Sequence, residues 1–181
     1  PYVALLTSLV GAVDTTKRSY EALGTAEYLV SGGIRITSRV IQNAHHPEVF
    51  SHKLLISSKT LGPESAADFL ALTYEELFES DFSDKKRFRE VLQMLKSQME
   101  TGIFQQGHTV VAGRVAAYHS AYCRFNEMLN GLDFLFFLQD LDNHFEERFD
   151  AVYAKLQDIY SRLVTREGMI VSVTGPDESY K

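Results

Sequence analysis

Cysteine occurs once in these 181 residues, at Cys123, so no intrachain disulfide can form and the cysteine usage suits a reducing compartment. Basic residues are also in short supply. Lys and Arg number 18 against 24 Asp and Glu, a formal net charge of −6 that argues against nucleic acid as the main partner. No apolar run approaches the roughly 18–20 residues that span a bilayer. Phosphate-cradling glycine loops are missing too: Ser31-Gly32-Gly33 leads from a helix into a strand, whereas a dinucleotide loop leads from a strand into a helix. His-x-x-Glu-His, the inverted zinc motif of one class of metallopeptidase, is found nowhere.

What is present is the composition of an ordinary globular chain, 45% hydrophobic and 23% charged, long enough for one domain over 1–181. Pro1-Tyr2-Val3-Ala4-Leu5-Leu6 does not read as a signal peptide, having no basic start and no small-residue cleavage site. The apolar stretch from Tyr2 to Val13 predicts a helix buried on several sides. Ser19 is the N-cap expected for a second helix through Val30, ended by Gly32-Gly33. Two alternating segments follow. Ile34, Ile36 and Val40 share one face against Arg35, Thr37 and Arg39; Phe50, His52, Leu54 and Ile56 stand against Ser51, Lys53, Leu55 and Ser57. They predict an antiparallel hairpin with an apolar face on a helical layer and a mixed, partly basic face opposite.

Further helices are expected from Gly62-Pro63 to about Glu79, after a Ser83 cap, around Ala116–Leu129, over Leu132–Asn143, and along the stripe Phe149, Val152, Tyr153, Leu156, Ile159, Tyr160 and Leu163. Gly107 and Gly113 bracket a weaker segment. Met169 to Thr174 reads as a final buried strand. The class is α+β: a small, mainly antiparallel sheet covered on one side by helices, with further strands expected ahead of Pro1, so that the chain reads as a fragment of a longer one.

Several ordered runs resemble the C-terminal half of the presequence-protease branch of the pitrilysin/insulinase metallopeptidases: Pro1-Tyr2 through Leu9-Val10-Gly11, Ser19-Tyr20-Glu21-Ala22-Leu23, Ser31-Gly32-Gly33-Ile34, Phe82-Ser83-Asp84, Leu95-Lys96-Ser97-Gln98-Met99-Glu100, Gly107-His108, Asn130-Gly131-Leu132 and Val171-Ser172-Val173-Thr174-Gly175. The resemblance implies one pitrilysin-type domain of a two-halved enzyme whose related α/β domains enclose a peptide-cutting chamber. Zinc would be bound outside this segment, on a His-x-x-Glu-His helix in the other half. The helix at Tyr2 is the implied counterpart of that zinc helix, and alignment on Gly11 puts Tyr2, Leu5 and Leu6 at the motif positions. Leu has no donor atom and Tyr is a weak zinc ligand, so the segment is expected to be catalytically silent. Implied partners are the remaining domains of the same polypeptide and short unfolded peptides such as targeting peptides. The implied location is the cytoplasm of a bacterium or an organellar matrix. Arg35, Thr37, Arg39, Ser51 and Lys53 are the expected chamber contacts, against the simpler reading of a solvated sheet face.

Other groupings offer less chemistry. His144-Phe145-Glu146-Glu147-Arg148 has Arg where a second His is required, and His45-His46-Pro47-Glu48-Val49 ends on Val with Pro47 disfavouring a helix. His45 and His46 point to opposite sides of an extended loop and do not chelate together with His52. His108 and His119 are not paired by helical spacing. Cys123, between Tyr122 and Arg124, has no base or oxyanion site in sequence and reads as an inert buried thiol. Two rival readings remain: a stand-alone interaction or assembly domain of the same fold without peptidase activity, and an independent small hydrolase.

Overall fold

A computed structural model describes residues 1–46, 48–60, 62–165 and 167–175. Helix α1 (Tyr2–Leu9) buries Ala4, Leu5, Leu6 and Leu9 and ends in a turn at Gly11, whose φ of 79° is the left-handed region that glycine enters most easily. Helix α2 (Tyr20–Val30) starts where expected: Ser19 accepts a hydrogen bond from the Ala22 N–H at 3.4 Å, and Asp14 accepts one from the Tyr20 N–H at 2.8 Å. Strands β1 (Arg35–Gln42) and β2 (Phe50–Ser57) form an antiparallel pair in which Arg35 faces Ser57, Arg39 faces Lys53 and Gln42 faces Phe50. The α+β class holds, with a two-stranded sheet among the described residues.

Helix α3 (Ala66–Phe78) follows a 3₁₀ turn at Pro63–Ser65. Helix α4 (Lys85–Gln105) is capped by Asp84 rather than Ser83: the Asp84 carboxylate accepts from the N–H groups of Lys86 and Arg87. Carboxylate and hydroxyl are comparable caps, and the acidic one also complements the helix dipole. Helix α5 (Gly107–Ala116) contains both glycines that were expected to bracket it. Helix α6 (Ala121–Asn130) begins later than expected, at the Ser120 cap; α7 (Leu132–Asn143) and α8 (Phe145–Leu163) lie where the periodicity places them.

The core joins α1, α4, α7 and α8: Leu5, Leu9, Phe88, Leu92, Leu138 and Leu156 are all completely or almost completely buried. Helical packing therefore carries most of the apolar burial, and the hairpin lies against it through Val40 and the inner-face rings of Phe50 and His52, which meet Phe125 of α6 at 5.5 and 5.3 Å. The expected last strand is not formed. Met169 to Thr174 is assigned to no strand or helix, and Ile170 is 90% exposed. Propensity alone does not make a strand, and among the described residues the sheet consists of β1 and β2.

Candidate functional site

Alternation along β1 and β2 turns Arg35, Thr37 and Arg39, with Ser51 and Lys53, away from the helical core. All but the half-buried Thr37 are exposed. The register adds what the sequence could not supply: Arg39 is directly opposite Lys53, and like charges in that position repel. Among the described residues neither of them, nor Arg35, has a carboxylate within ion-pair distance, although the chain is acidic and most of its other cations are paired. Leu55 and Ile41 are exposed on the same face, so it is basic and apolar in alternation.

Beside this face lies a cleft of about 380 Å³ between β1 and α1. Helix α1 contributes Ala4, Thr7 and Ser8, at spacings of three and four residues that place them on one side of the helix. The Thr7 and Ser8 hydroxyls both donate to the Ala4 carbonyl, at 2.8 and 3.1 Å, which fixes them against the helix. Tyr2, Leu5 and Leu6 occupy an adjacent side. Leu5 and Leu6 are buried in the core, and the Tyr2 ring packs edge-on to Phe137 at 5.1 Å beneath the Lys155 ammonium. These three side chains do not fit a zinc ion: two are hydrocarbons enclosed by hydrocarbon. Among the described residues no group of three or more His, Cys, Asp or Glu side chains converges to hold a metal.

The remaining sequence candidates are dispersed. His45 and His46 are exposed, the latter 3.4 Å from the Glu48 carboxylate, while His52 points to the inner sheet face. Burial pushes the His52 imidazole below its ordinary pKa, favouring the neutral ring. His144 lies beside Asp140, which also pairs with Arg148. Cys123 is half-buried at a second cavity of about 410 Å³ between α4, α5 and α6. Phe134 is core, whereas Phe136 is 55% exposed.

One cluster carries no signature in the sequence. Glu75 and Glu76, adjacent on α3, are both buried. Arg18 Nε lies 2.9 Å from the Glu75 carboxylate, and the Thr15 hydroxyl donates to it at 2.5 Å. Glu76 has no such support: its Oε1 has no hydrogen-bond partner among the described residues. Burial above all, then the charges of Glu27 and Glu75, push its carboxyl up to about 8. The only available hint was their position in register with the buried Leu72, since the types themselves suggest a solvated helix face.

The family model described as peptidase M-16C associated matches residues 1–141, and the chain belongs to that family. It is 25% identical over its whole length to Protein HypA of Clostridium perfringens, 28% identical over 70% of its length to presequence protease 1 of Arabidopsis thaliana, and 24% identical over 98% of its length to the mitochondrial presequence protease of Saccharomyces cerevisiae. It spans 18%, 12% and 18% of those relatives, less than a fifth of each. Among the described residues no helix is long and apolar enough to cross a membrane.

Proposed function

We propose that this chain is a non-catalytic, chamber-forming domain of a zinc metalloendopeptidase that degrades short unfolded peptides such as targeting peptides, with the outer hairpin face turned towards the substrate. The observation that carries the proposal is Arg39 opposite Lys53 with no carboxylate partner among the described residues. A fold gains nothing from such a pair, but an enclosing wall gains an attraction for peptide carboxylates and backbone carbonyls. Membership of a peptidase-associated family and resemblance to presequence proteases over most of the chain support the same reading.

In this reading zinc and the general base come from another part of the polypeptide. Zinc-dependent peptide hydrolysis would call for a metal-held water and a carboxylate base, and α1 presents neither a ligand nor a base at Tyr2, Leu5 or Leu6. The chain's own residues bind and orient: Arg35, Arg39 and Lys53 attract, and Thr37 and Ser51 supply neutral hydrogen-bonding groups. Replacing Arg35, Arg39 and Lys53 together by Ala in the intact protein should raise KM for acidic peptides several-fold and leave kcat within about twofold. An unchanged KM would overturn the proposal. The 181-residue chain by itself should bind no stoichiometric zinc; chelator-sensitive cleavage by it alone would instead support the small-hydrolase reading.

The alternative, a stand-alone interaction or assembly domain of the same fold, has one observation in its favour. Val111, Val115 and Tyr118, along and just beyond α5, are all more than half exposed. Self-association of the purified chain that is lost on replacing all three by Ser would favour it.

A further inference from the structure

Glu76 of α3 lies against the turn that ends α1 and is 2% exposed. At that turn it meets Gly11, which has no polar side chain to answer it. The charges that act on it are both negative: Glu27 from α2 and Glu75 from its own helix. Cations in the loop before α2 are engaged elsewhere, Arg18 with Glu75 and Lys17 with Glu79, each at 2.9 Å. The 3₁₀ turn ahead of α3 adds the exposed Glu64, and α8 adds Tyr160, beside Ser80 and kept neutral by burial. With Oε1 unpartnered among the described residues, an ionised Glu76 is desolvated and repelled with nothing to offset it.

Glu27 has a second task. Its Oε1 accepts a hydrogen bond from the Ile34 N–H, immediately ahead of β1, and so ties α2 to the base of the hairpin. Gly33, with a φ of 100°, turns the chain back towards that carboxylate. Of the two carboxylates beside Glu76, Glu75 is held by Arg18 and Thr15, whereas Glu27 is half-buried and has a way out to water. We propose that Glu76 is a proton-operated latch: protonated, it leaves Glu27 in place on Ile34; ionised, it drives Glu27 outward, admits water in its stead and frees the start of β1. Opening relieves both the repulsion and the desolvation of Glu76, so it becomes easier as pH rises towards about 8, the value to which burial, Glu27 and Glu75 push the closed form. The latch does not depend on what the cleft beside β1 binds.

The test follows amide exchange in the intact protein between about pH 6 and 9, each rate divided by that of an unstructured chain at the same pH. Protection of the Ile34 N–H should fall about fivefold or more across this range, while Val91 and Leu92 in α4 lose less. Glu76→Gln should abolish the fall at Ile34. Glu27→Gln keeps an oxygen that accepts from Ile34 but carries no charge to be repelled, and should also keep Ile34 protected at both ends of the range; it serves as the test if Glu76→Gln does not fold. Constant protection of Ile34 in the unmodified protein would overturn the latch, as would a fall of the same size in either variant. An equal fall at Ile34 and in α4 would overturn it too, because the proton would then act on the whole fold.

Discussion

Gly11 turns its α-carbon onto the carboxylate of Glu76, and a β-carbon there would lie 3.4 Å from Oε2, in van der Waals contact. The same residue holds a φ of 79°, so Gly11→Ala meets backbone strain, with the new methyl in van der Waals contact with the carboxylate. We expect it to lower stability by about 1–3 kcal/mol, measured by urea unfolding. A neutral result would mean that the α1–α2 turn reshapes freely.

Glu76 should make stability fall with rising pH. Its folded-state carboxyl is raised to about 8 from an ordinary value of 4.5, so between those limits the folded chain holds a proton that the unfolded chain has released. The contribution is complete below about pH 4.5 and lost as pH climbs through 8, at up to about 1.4 kcal/mol per unit. Glu76→Gln should flatten that part of the pH–stability curve and be the more stable protein at pH 8. An unaltered curve would show that Glu76 is ionised in the fold.

Leu6 and Ser8 should separate the core side of α1 from its cleft side. Leu6→Ala leaves a cavity among Leu5, Leu9 and their neighbours and should cost about 2–5 kcal/mol. Ser8→Ala should stay within about 0.5 kcal/mol, because its hydroxyl only bonds back to its own helix. Similar costs for the two, measured by chemical denaturation, would contradict this orientation of the helix.

Lys53→Glu should divide stability from function. Opposite Arg39 it replaces repulsion by attraction, which should raise stability by about 0.2–1 kcal/mol. In the intact protein it should weaken binding of acidic peptides. A gain in stability with undiminished peptide binding would remove the basic face from the binding surface.

The sequence made the helical layer and the hairpin legible because both rest on periodicity. Ser19, the pairing of Arg35–Gln42 with Phe50–Ser57, and the α8 stripe from Phe149 to Leu163 each carry a local pattern that tertiary structure keeps. Breakers misled where packing overrode them. Gly107 and Gly113 lie inside α5, since a glycine costs a helix only about 1 kcal/mol. Met169 to Thr174 has the composition of a strand but is assigned to none, because β-propensity is a weak guide where tertiary context decides.

The outward set Arg35, Thr37, Arg39, Ser51 and Lys53 was readable from alternation alone. That Arg39 meets Lys53 was not, because the length and shape of the connection between the strands set the register. The buried Glu75 and Glu76 were hidden for a different reason: their environment is assembled by Arg18, Thr15 and Gly11, some 60 residues earlier in the chain.

Arg87 gives the cleft a fixed side. Its guanidinium lies 3.5 Å from the centre of the Tyr20 ring, and its Nε donates to the Ala12 carbonyl at 2.8 Å. Together these contacts fasten the turn after α1 and the start of α2 to the start of α4, whose Phe88 and Leu92 are fully enclosed. The two banks of the cleft are thus unequal in stiffness: α1 belongs to the helical mass, whereas β1 belongs, among the described residues, to a two-stranded ribbon, an arrangement with little rigidity of its own. The gap between them is therefore gauged from the helix side.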